Sequence, residues 1–295
     1  MSDTLRNPSI QRRQLLQGIG AGAVASLTLG PATASRAADA PARKGRIRQA
    51  ACPGAFGRKT TIEDKCKMAK ELGLYGIDLV DVKDWGTLKQ YGLICTMARS
   101  HSLTKGLNRK EQHDECIALI RESIEAAAAA GFPNVICFPG NRDGLDDETG
   151  LVNSAEGLKK VVGFAEEKNI TLCMELLNSK LNHKDYQCDR THWGVELCKR
   201  VGSPRFKLLY DIYHMQVQEG DIIATIRESI DYIAHIHTAG VPGRHEIDET
   251  QELYYPAIMR AIADLNYGGY VAHEYSPVQG DAKASLQKAI EICDV

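Results

Sequence analysis

The sequence predicts an α/β fold, a single (β/α)8 barrel preceded by an N-terminal signal segment. Strand-like apolar runs alternate with amphipathic helical segments eight times between residues 46 and 295. The runs are almost continuously apolar, which is typical of parallel strands buried on both faces. Polar side chains also end the last four strands, and a barrel directs such strand ends to one face. An open, doubly wound sheet is the competing architecture.

The strands are assigned from apolar content and from the turn residues that bound them. In chain order they are residues 46–54, 75–81, 93–101, 134–140, 170–178, 206–214, 233–240 and 270–277. The helices are assigned from apolar spacing near 3.6 residues and from glycine stops. They are residues 61–73, 84–92, 108–131, 155–169, 192–202, 221–230, 253–266 and 281–293.

The N-terminus has the order of a Tat-type signal peptide, predicted over residues 1–37. The adjacent Arg12 and Arg13 precede a weakly apolar stretch and then a run of small residues. Glycines and a glutamine interrupt the apolar stretch, so no stable membrane span is expected after processing. Residues 38–45 are predicted to be a linker and residues 46–295 the barrel. The sequence therefore predicts export by the Tat route to the periplasm.

Net charge argues against a nucleic-acid partner. The chain carries −2, and the signal segment contributes four arginines against one aspartate, so the remainder carries −5. Nine cysteines occur without paired metal-type spacing. Cys95, Cys137 and Cys173 lie within apolar runs, which predicts buried core thiols and no disulfide framework.

Four side chains at the ends of successive strands form the candidate metal site. They are Glu175, Asp211, His237 and Glu274, separated by 36, 26 and 37 residues. Each interval accommodates one helix, one strand and two loops, as a barrel requires. Any one of these carboxylates could instead pair with arginine or lysine. Three carboxylates and an imidazole in consecutive units favour one divalent ion, with Mn²⁺, Mg²⁺ or Co²⁺ ahead of Zn²⁺.

Residues 170–277 resemble the xylose isomerase-like barrel superfamily, and most closely its hydroxypyruvate isomerase branch. The matching motifs are MELLN, YDIYH, HIHTAGVPGRHEID and HEYSP. The resemblance implies that the same four residues hold one divalent metal ion and that Glu175 and Glu274 shuttle a proton. It also implies that His214 and Arg244 contact the substrate. His101 ends the third strand and is a further candidate for the pocket wall.

The resemblance does not fix the substrate. Hydroxypyruvate isomerases often carry glutamine where this chain has His237, whereas ketose 3-epimerases carry histidine. The epimerases also place a second glutamate at the position of Leu181. The first expectation is a metal-dependent isomerase acting on a small hydroxy-carbonyl compound or unphosphorylated sugar by enediolate proton transfer.

Several alternatives to that isomerase stay open at this point. Ketose 3-epimerisation and elimination from a keto-glycoside begin with the same proton abstraction. A three-zinc apurinic endonuclease would need more histidine ligands and a basic face. A non-catalytic sugar-binding barrel would not need two glutamates placed to move a proton. The sequence also leaves open whether the protein is a homo-oligomer.

Overall fold

The computed structural model describes residues 43–295. The predicted signal segment, 1–37, and residues 38–42 of the predicted linker lie outside the described residues. Six parallel strands form one sheet in the order β1-β6-β5-β4-β3-β2. The strands are β1 Arg48–Ala51, β2 Asn134–Cys137, β3 Thr171–Leu176, β4 Phe206–Asp211, β5 Ile233–Thr238 and β6 Tyr270–His273.

The predicted second and third strands are shorter than expected but complete the ring. They appear as isolated parallel bridges, in which Ala51 pairs with Ile77 and Ala98 with Val135. Between them, Leu79 N donates to Met97 O at 2.8 Å. Leu79 has a φ of 54°, outside the extended region, so the second segment cannot continue as a strand. The backbone therefore joins β1 to β2 and confirms the barrel-type fold.

Within residues 43–295, ten α-helices surround the strands, and four short 3₁₀ helices connect elements. The α-helices are α1 Ile62–Glu71, α2 Trp85–Gln90, α3 His113–Ala130, α4 Asp147–Lys159, α5 Val162–Glu167, α6 Thr191–Val201, α7 Ile212–Gln218, α8 Ile222–Ser229, α9 Tyr255–Asp264 and α10 Ala282–Cys293. The 3₁₀ helices are Pro53–Phe56, Val82–Asp84, Lys110–Gln112 and Ile230–Tyr232.

One helix prediction and one strand prediction were wrong. The helix predicted over 155–169 is two helices, and the first begins earlier because Asp146 caps it by accepting from Thr149 N at 2.8 Å. The strand predicted over 206–214 ends at Asp211, and α7 follows at once. Asp211 is its N-cap and accepts from His214 N at 3.0 Å. This hydrogen bond from backbone to side chain ends the strand at Asp211 and begins a helix within the apolar run 206–214.

The core occupies the barrel interior and the layer between strands and helices. All nine cysteines lie within the described residues, and each is buried and free, which confirms the prediction of core thiols. Burial also raises the pKa of Cys173 and Cys137 well above the usual value, so both remain neutral thiols. Among residues 43–295, no helix combines the length and apolarity needed to cross a membrane.

Candidate metal centre

The four predicted ligands converge at the carboxyl ends of β3 to β6. One ligand atom from each of Glu175, Asp211, His237 and Glu274 lies within 4.8 Å of the others. His237 Nδ1 is 2.7 Å from Glu274 Oε2, 3.5 Å from Glu175 Oε1 and 3.9 Å from Asp211 Oδ2. Glu175, Asp211 and His237 are buried, and Glu274 is partly exposed.

Strand register explains this convergence. Asp211 on β4 is the register partner of His237 on β5, so the two side chains point to the same face at the same level. Glu175 is the second-to-last residue of β3, and Glu274 directly follows the last residue of β6. Glu274 N donates to Thr238 O at 2.9 Å, which keeps residue 274 aligned with the end of β5. Parallel pairing therefore brings residues distant in sequence to one rim.

The ring of His237 is fixed by a carboxylate that the sequence reasoning missed. Asp78 Oδ2 lies 2.9 Å from His237 Nε2, on the opposite side of the ring from the three other ligands. Asp78 follows Ile77 in an apolar segment and is fully buried. A carboxylate within an apolar run needs a compensating partner, and this signal in the sequence could have identified Asp78.

The two glutamates hold protons with different affinities. Burial raises the pKa of Glu175 to about 7, despite the opposing hydrogen bond to His237. Burial also disfavours ionisation of Glu274, but the charges of His237 and Arg244 outweigh it and lower its pKa. Two carboxyl groups with pKa values pushed apart are suited to separate acid and base roles.

Asp211 and His237 are both held in their charged forms. Burial raises the pKa of Asp211, yet the charges of Arg244 and His237 and the hydrogen bond from His214 N prevail and hold it at about 2. Burial lowers the pKa of His237, but Glu274 and the hydrogen bond to Asp78 raise it well above the usual value. The centre thus concentrates negative charge around one imidazole, an environment that favours a cation.

Arg244 reaches over the centre from the loop after β5. Its Nη2 atom lies 2.7 Å from both Asp211 Oδ2 and Glu274 Oε2. The residue has a φ of 58°, in the left-handed region, which turns its side chain back toward the strand ends. Its backbone oxygen accepts from Ser276 N at 3.2 Å, so the loops after β5 and β6 are tied together. Arg244, predicted to contact the substrate, thus also contacts two of the candidate metal ligands.

His214 lies beside the four ligands on the first turn of α7. Its Nδ1 atom accepts from Asn178, with Nδ2 at 2.6 Å, so Nε2 carries the proton. That Nε2 is buried, has no hydrogen-bond partner and lies 3.8 Å from Asp211 Oδ2. Burial lowers the pKa of His214 to about 4, which keeps the ring neutral. The interpretation of His214 as one pleat further along a strand was wrong, because the residue is helical.

A cavity of about 370 Å³ opens onto the centre. Its wall includes Glu175, Glu274, Arg244 and two histidines, His101 and His183. His101 lines it as predicted, but both ring nitrogens are engaged by backbone. Nε2 accepts from Phe138 N at 3.2 Å, and Nδ1 is 3.1 Å from Ser102 O. Both ring nitrogens of His101 are therefore already engaged and are not free to bind a substrate oxygen.

His183 is a cavity residue that the sequence reasoning did not identify. It is half-buried in the loop after β3, and its ring packs edge-on against that of His214, with 5.1 Å between centroids. Burial lowers the pKa of His183, and the positive charge of Arg244 lowers it further. The polar NHKDY stretch around it carries no strand-end signal, so the fold was needed to place it.

The donor set fits a divalent cation. Three carboxylates supply hard oxygen ligands, and His237 directs Nδ1 at them, where a divalent cation would take the place of the Nδ1 proton. Arg244 is the other cation that contacts two of these carboxylates. One guanidinium and one imidazole leave the three carboxylates incompletely compensated, and buried charges of this kind are normally paired or bound to a metal.

Comparison with known proteins agrees with this architecture. Residues 61–293 match the family described as xylose isomerase-like TIM barrel. A 2-oxo-tetronate isomerase of Cupriavidus necator is 35% identical over 125 residues, which are 42% of this chain and 47% of that protein. The hydroxypyruvate isomerase of Escherichia coli is 27% identical over 208 residues, 69% of this chain and 73% of that protein.

A solved D-psicose 3-epimerase from Clostridium cellulolyticum superposes with a TM-score of 0.68 at 17% identity. The superposition covers 84% of this chain and all of the epimerase. This likeness concerns the fold. The chain spans about half the length of several curated relatives that it matches, including the Cupriavidus enzyme. Because the family match covers most of the chain, the protein belongs to the xylose isomerase-like TIM barrel family.

Proposed function

We propose that this protein is a divalent-metal-dependent isomerase that moves a proton between neighbouring carbons of a small hydroxy-carbonyl compound or unphosphorylated sugar. The observation that carries the proposal is the meeting of Glu175 and Glu274, which line the cavity, with the buried Asp211 and His237. Relatives that act as hydroxypyruvate isomerase and 2-oxo-tetronate isomerase support it.

Glu175, Asp211, His237 and Glu274 would hold the ion. When bound, a divalent ion supplies Lewis-acid polarisation of a carbonyl oxygen and a template for the adjacent hydroxyl. His237 contributes Nδ1, because Asp78 occupies its other ring nitrogen. The cavity volume of about 370 Å³ suits a substrate of a few carbons.

The proton transfer is assigned to the two glutamates. Both line the cavity, so each can face a carbon of the same bound substrate. Glu175 has the higher pKa because it is buried, and Glu274 the lower because His237 and Arg244 stabilise its anion. One carboxylate removes the proton to give an enediolate, and the other carboxyl group returns a proton at the neighbouring carbon.

Arg244 and His214 are assigned to substrate oxygens. Arg244 offers guanidinium N–H groups at the cavity wall, and its Nε is buried without a hydrogen-bond partner. His214 offers a neutral Nε2–H held in place by Asn178. A fixed neutral donor and a permanent cation suit a hydroxyl and a carbonyl or carboxylate oxygen, respectively.

The predicted export favours an unphosphorylated substrate. The twin arginines and small-residue run at the N-terminus favour Tat export to the periplasm, and free sugar phosphates are cytoplasmic metabolites. Folding before export would also let the metal ion load in the cytoplasm.

Ketose 3-epimerisation is the second candidate. His237 as the fourth ligand favours it, since the epimerases that this chain resembles carry histidine there. Leu181 weighs against it: it replaces the epimerases' second glutamate, and its side chain is 65% exposed.

A substrate screen separates the two functions. Protein loaded with Mn²⁺ is incubated with hydroxypyruvate, 2-oxo-tetronate, D-psicose and L-ribulose, and products are identified by NMR. We expect carbonyl migration in a keto acid that chelation abolishes. Inversion at carbon 3 of a ketose, with no carbonyl migration, would favour the epimerase. No turnover of any hydroxy-carbonyl compound with metal bound would contradict both.

A further inference from the structure

A buried cluster lies directly behind the metal centre, on the side away from the cavity. Asp78 is fully buried and contacts three side chains. Its Oδ2 atom lies 2.6 Å from His235 Nε2 and 2.9 Å from His237 Nε2, and its Oδ1 atom accepts from the Thr96 hydroxyl. The cluster joins β5 to the two short segments that complete the barrel.

Hydrogen-bond chemistry fixes the protons in this cluster. An ionised carboxylate can only accept, so each of its three partners must donate. His237 therefore carries a proton on Nε2. Its Nδ1 atom is left to face Glu175, Asp211 and Glu274, with Glu274 Oε2 at 2.7 Å, and a bound cation would replace the proton on this nitrogen. The Asp78 contact thus selects which nitrogen can present a lone pair to a cation.

His235 holds the same carboxylate from one pleat deeper on β5. Two residues apart on a strand, His235 and His237 point to the same face. Their rings meet edge-on, with 5.2 Å between centroids and 84° between planes. His235 therefore restrains Asp78 Oδ2, the oxygen that His237 contacts, and it also packs against the ring of His237.

The backbone around Asp78 is shaped to deliver this carboxylate. Asp78 N donates to Ala51 O at 3.0 Å, and the chain leaves the strand direction at Leu79. Gly76 packs so closely on Ile94 that an added Cβ would lie 2.2 Å from its carbonyl oxygen. The short second segment is held between its neighbours at the level of the two histidines.

We propose that Asp78, restrained by His235, is a positioning residue that fixes His237 with Nδ1 toward the metal ion and thereby sets the affinity of the centre. This inference rests on the proposed function, because it requires that the four ligands bind a divalent ion. Partners of metal-bound histidines typically change metal affinity by about 10- to 100-fold when removed.

The cluster could alternatively hold an ion of its own, since Asp78, His235 and His237 also have atoms within 4.8 Å of one another. The geometry favours hydrogen bonds instead. Both nitrogen-to-oxygen distances are hydrogen-bond lengths, and the Thr96 hydroxyl uses the other oxygen. Metal stoichiometry decides between the two arrangements.

The test measures Mn²⁺ affinity of the full-length protein by competition with a chelator. Asp78→Ala removes the acceptor, and we expect the dissociation constant to rise about 10- to 100-fold. Asp78→Asn keeps an amide oxygen that can accept from His237, so it should recover part of the loss. Thr96→Val is the matched control: it removes a buried partner of Asp78 but not the contact to His237, and affinity should stay within about threefold.

A second measurement needs no variant. In protein loaded with Zn²⁺ and labelled with ¹⁵N-histidine, NMR should show that His237 keeps a proton on Nε2 and carries none on Nδ1. The opposite pattern would overturn the inference.

The affinity outcomes separate this inference from the proposed function. Wild-type affinity in Asp78→Ala overturns the positioning role alone. So does a second Mn²⁺ ion in the wild type that Asp78→Ala loses, because the cluster would then be a metal site. A wild-type protein that binds no Mn²⁺ overturns both the inference and the proposed function.

Discussion

Arg244 Nη2 lies 2.7 Å from Asp211 Oδ2, so the arginine assigned to substrate directly contacts one of the four candidate metal ligands. The same nitrogen lies 2.7 Å from Glu274 Oε2. Arg244 thus neutralises two carboxylates while its Nε has no partner. A charged group in this position can orient an incoming oxygen without being required for metal retention.

Replacing Arg244 tests that division of roles. Arg244→Ala should raise KM by about tenfold or more, or lower kcat/KM correspondingly, because a buried charged hydrogen-bond donor to the substrate is lost. Metal content, measured by elemental analysis, should stay at about one ion per chain. Arg244→Lys keeps the charge but loses the planar donors, and should recover only part of the effect. Loss of metal together with folding would assign Arg244 a structural role.

His214 should act on the substrate through its free Nε2–H. We expect His214→Ala to lower kcat/KM by about tenfold or more, because a fixed donor to a substrate oxygen is removed. Asn178→Ala should have a smaller effect, since it removes only the side-chain hydrogen bond to His214 Nδ1 and leaves the Nε2–H in place. Steady-state kinetics with Mn²⁺ in excess checks both. Unchanged kcat/KM in His214→Ala would remove it from the site.

The raised pKa of Glu175 predicts a pH-dependent stability difference in metal-free protein. Its pKa rises from an ordinary 4.5 to about 7 on folding, so the folded state binds more protons between these values. Its contribution to the free energy of unfolding therefore falls as pH rises through this window.

Glu175→Gln removes that titration. Relative to the wild type, the variant should gain stability between pH 5 and pH 8, by on the order of 1–3 kcal/mol. Chemical denaturation of both proteins in the presence of a chelator measures the difference. A difference that does not change with pH would mean that Glu175 is not perturbed by burial.

The export prediction is tested independently of catalysis. Replacing Arg12 and Arg13 with lysine should leave the protein in the cytoplasm, because Tat recognition depends on the arginine pair. Cell fractionation compares the variant with the wild type, and the Glu274→Gln variant, which keeps the signal, should be exported normally. Unchanged export after the lysine replacements would remove the Tat assignment and leave the barrel and its centre unaffected.

The convergence of the four candidate ligands could be predicted because strand geometry determines where they lie. In parallel strands, residues at equivalent ends share one rim, so Glu175, Asp211, His237 and Glu274 needed only correct strand assignment. The barrel-type fold followed from the same alternation. The register of Asp211 with His237 then confirmed that the side chains share a face.

Other features depend on contacts that a single segment does not encode. The role of Asp78 depends on its contacts to two histidines that lie more than 150 residues away along the chain. The helix that carries His214 begins where Asp211 caps it, and the apolar sequence there is equally typical of a strand. Arg244 points into the centre because its own backbone is left-handed. Each requires tertiary structure or a local conformation that apolar periodicity does not report.

Solvent hydrogen exchange tests the proton-transfer account most directly. The Mn²⁺-loaded enzyme converts its substrate in D₂O, and the product is analysed by NMR and mass spectrometry. Proton transfer through Glu175 and Glu274 predicts deuterium at the carbon that receives hydrogen, because a carboxyl proton exchanges with water. Glu175→Gln and Glu274→Gln should each suppress incorporation by at least about 100-fold. Product without solvent deuterium from an active enzyme would contradict the two-glutamate mechanism, since a direct hydride shift keeps the migrating hydrogen out of solvent.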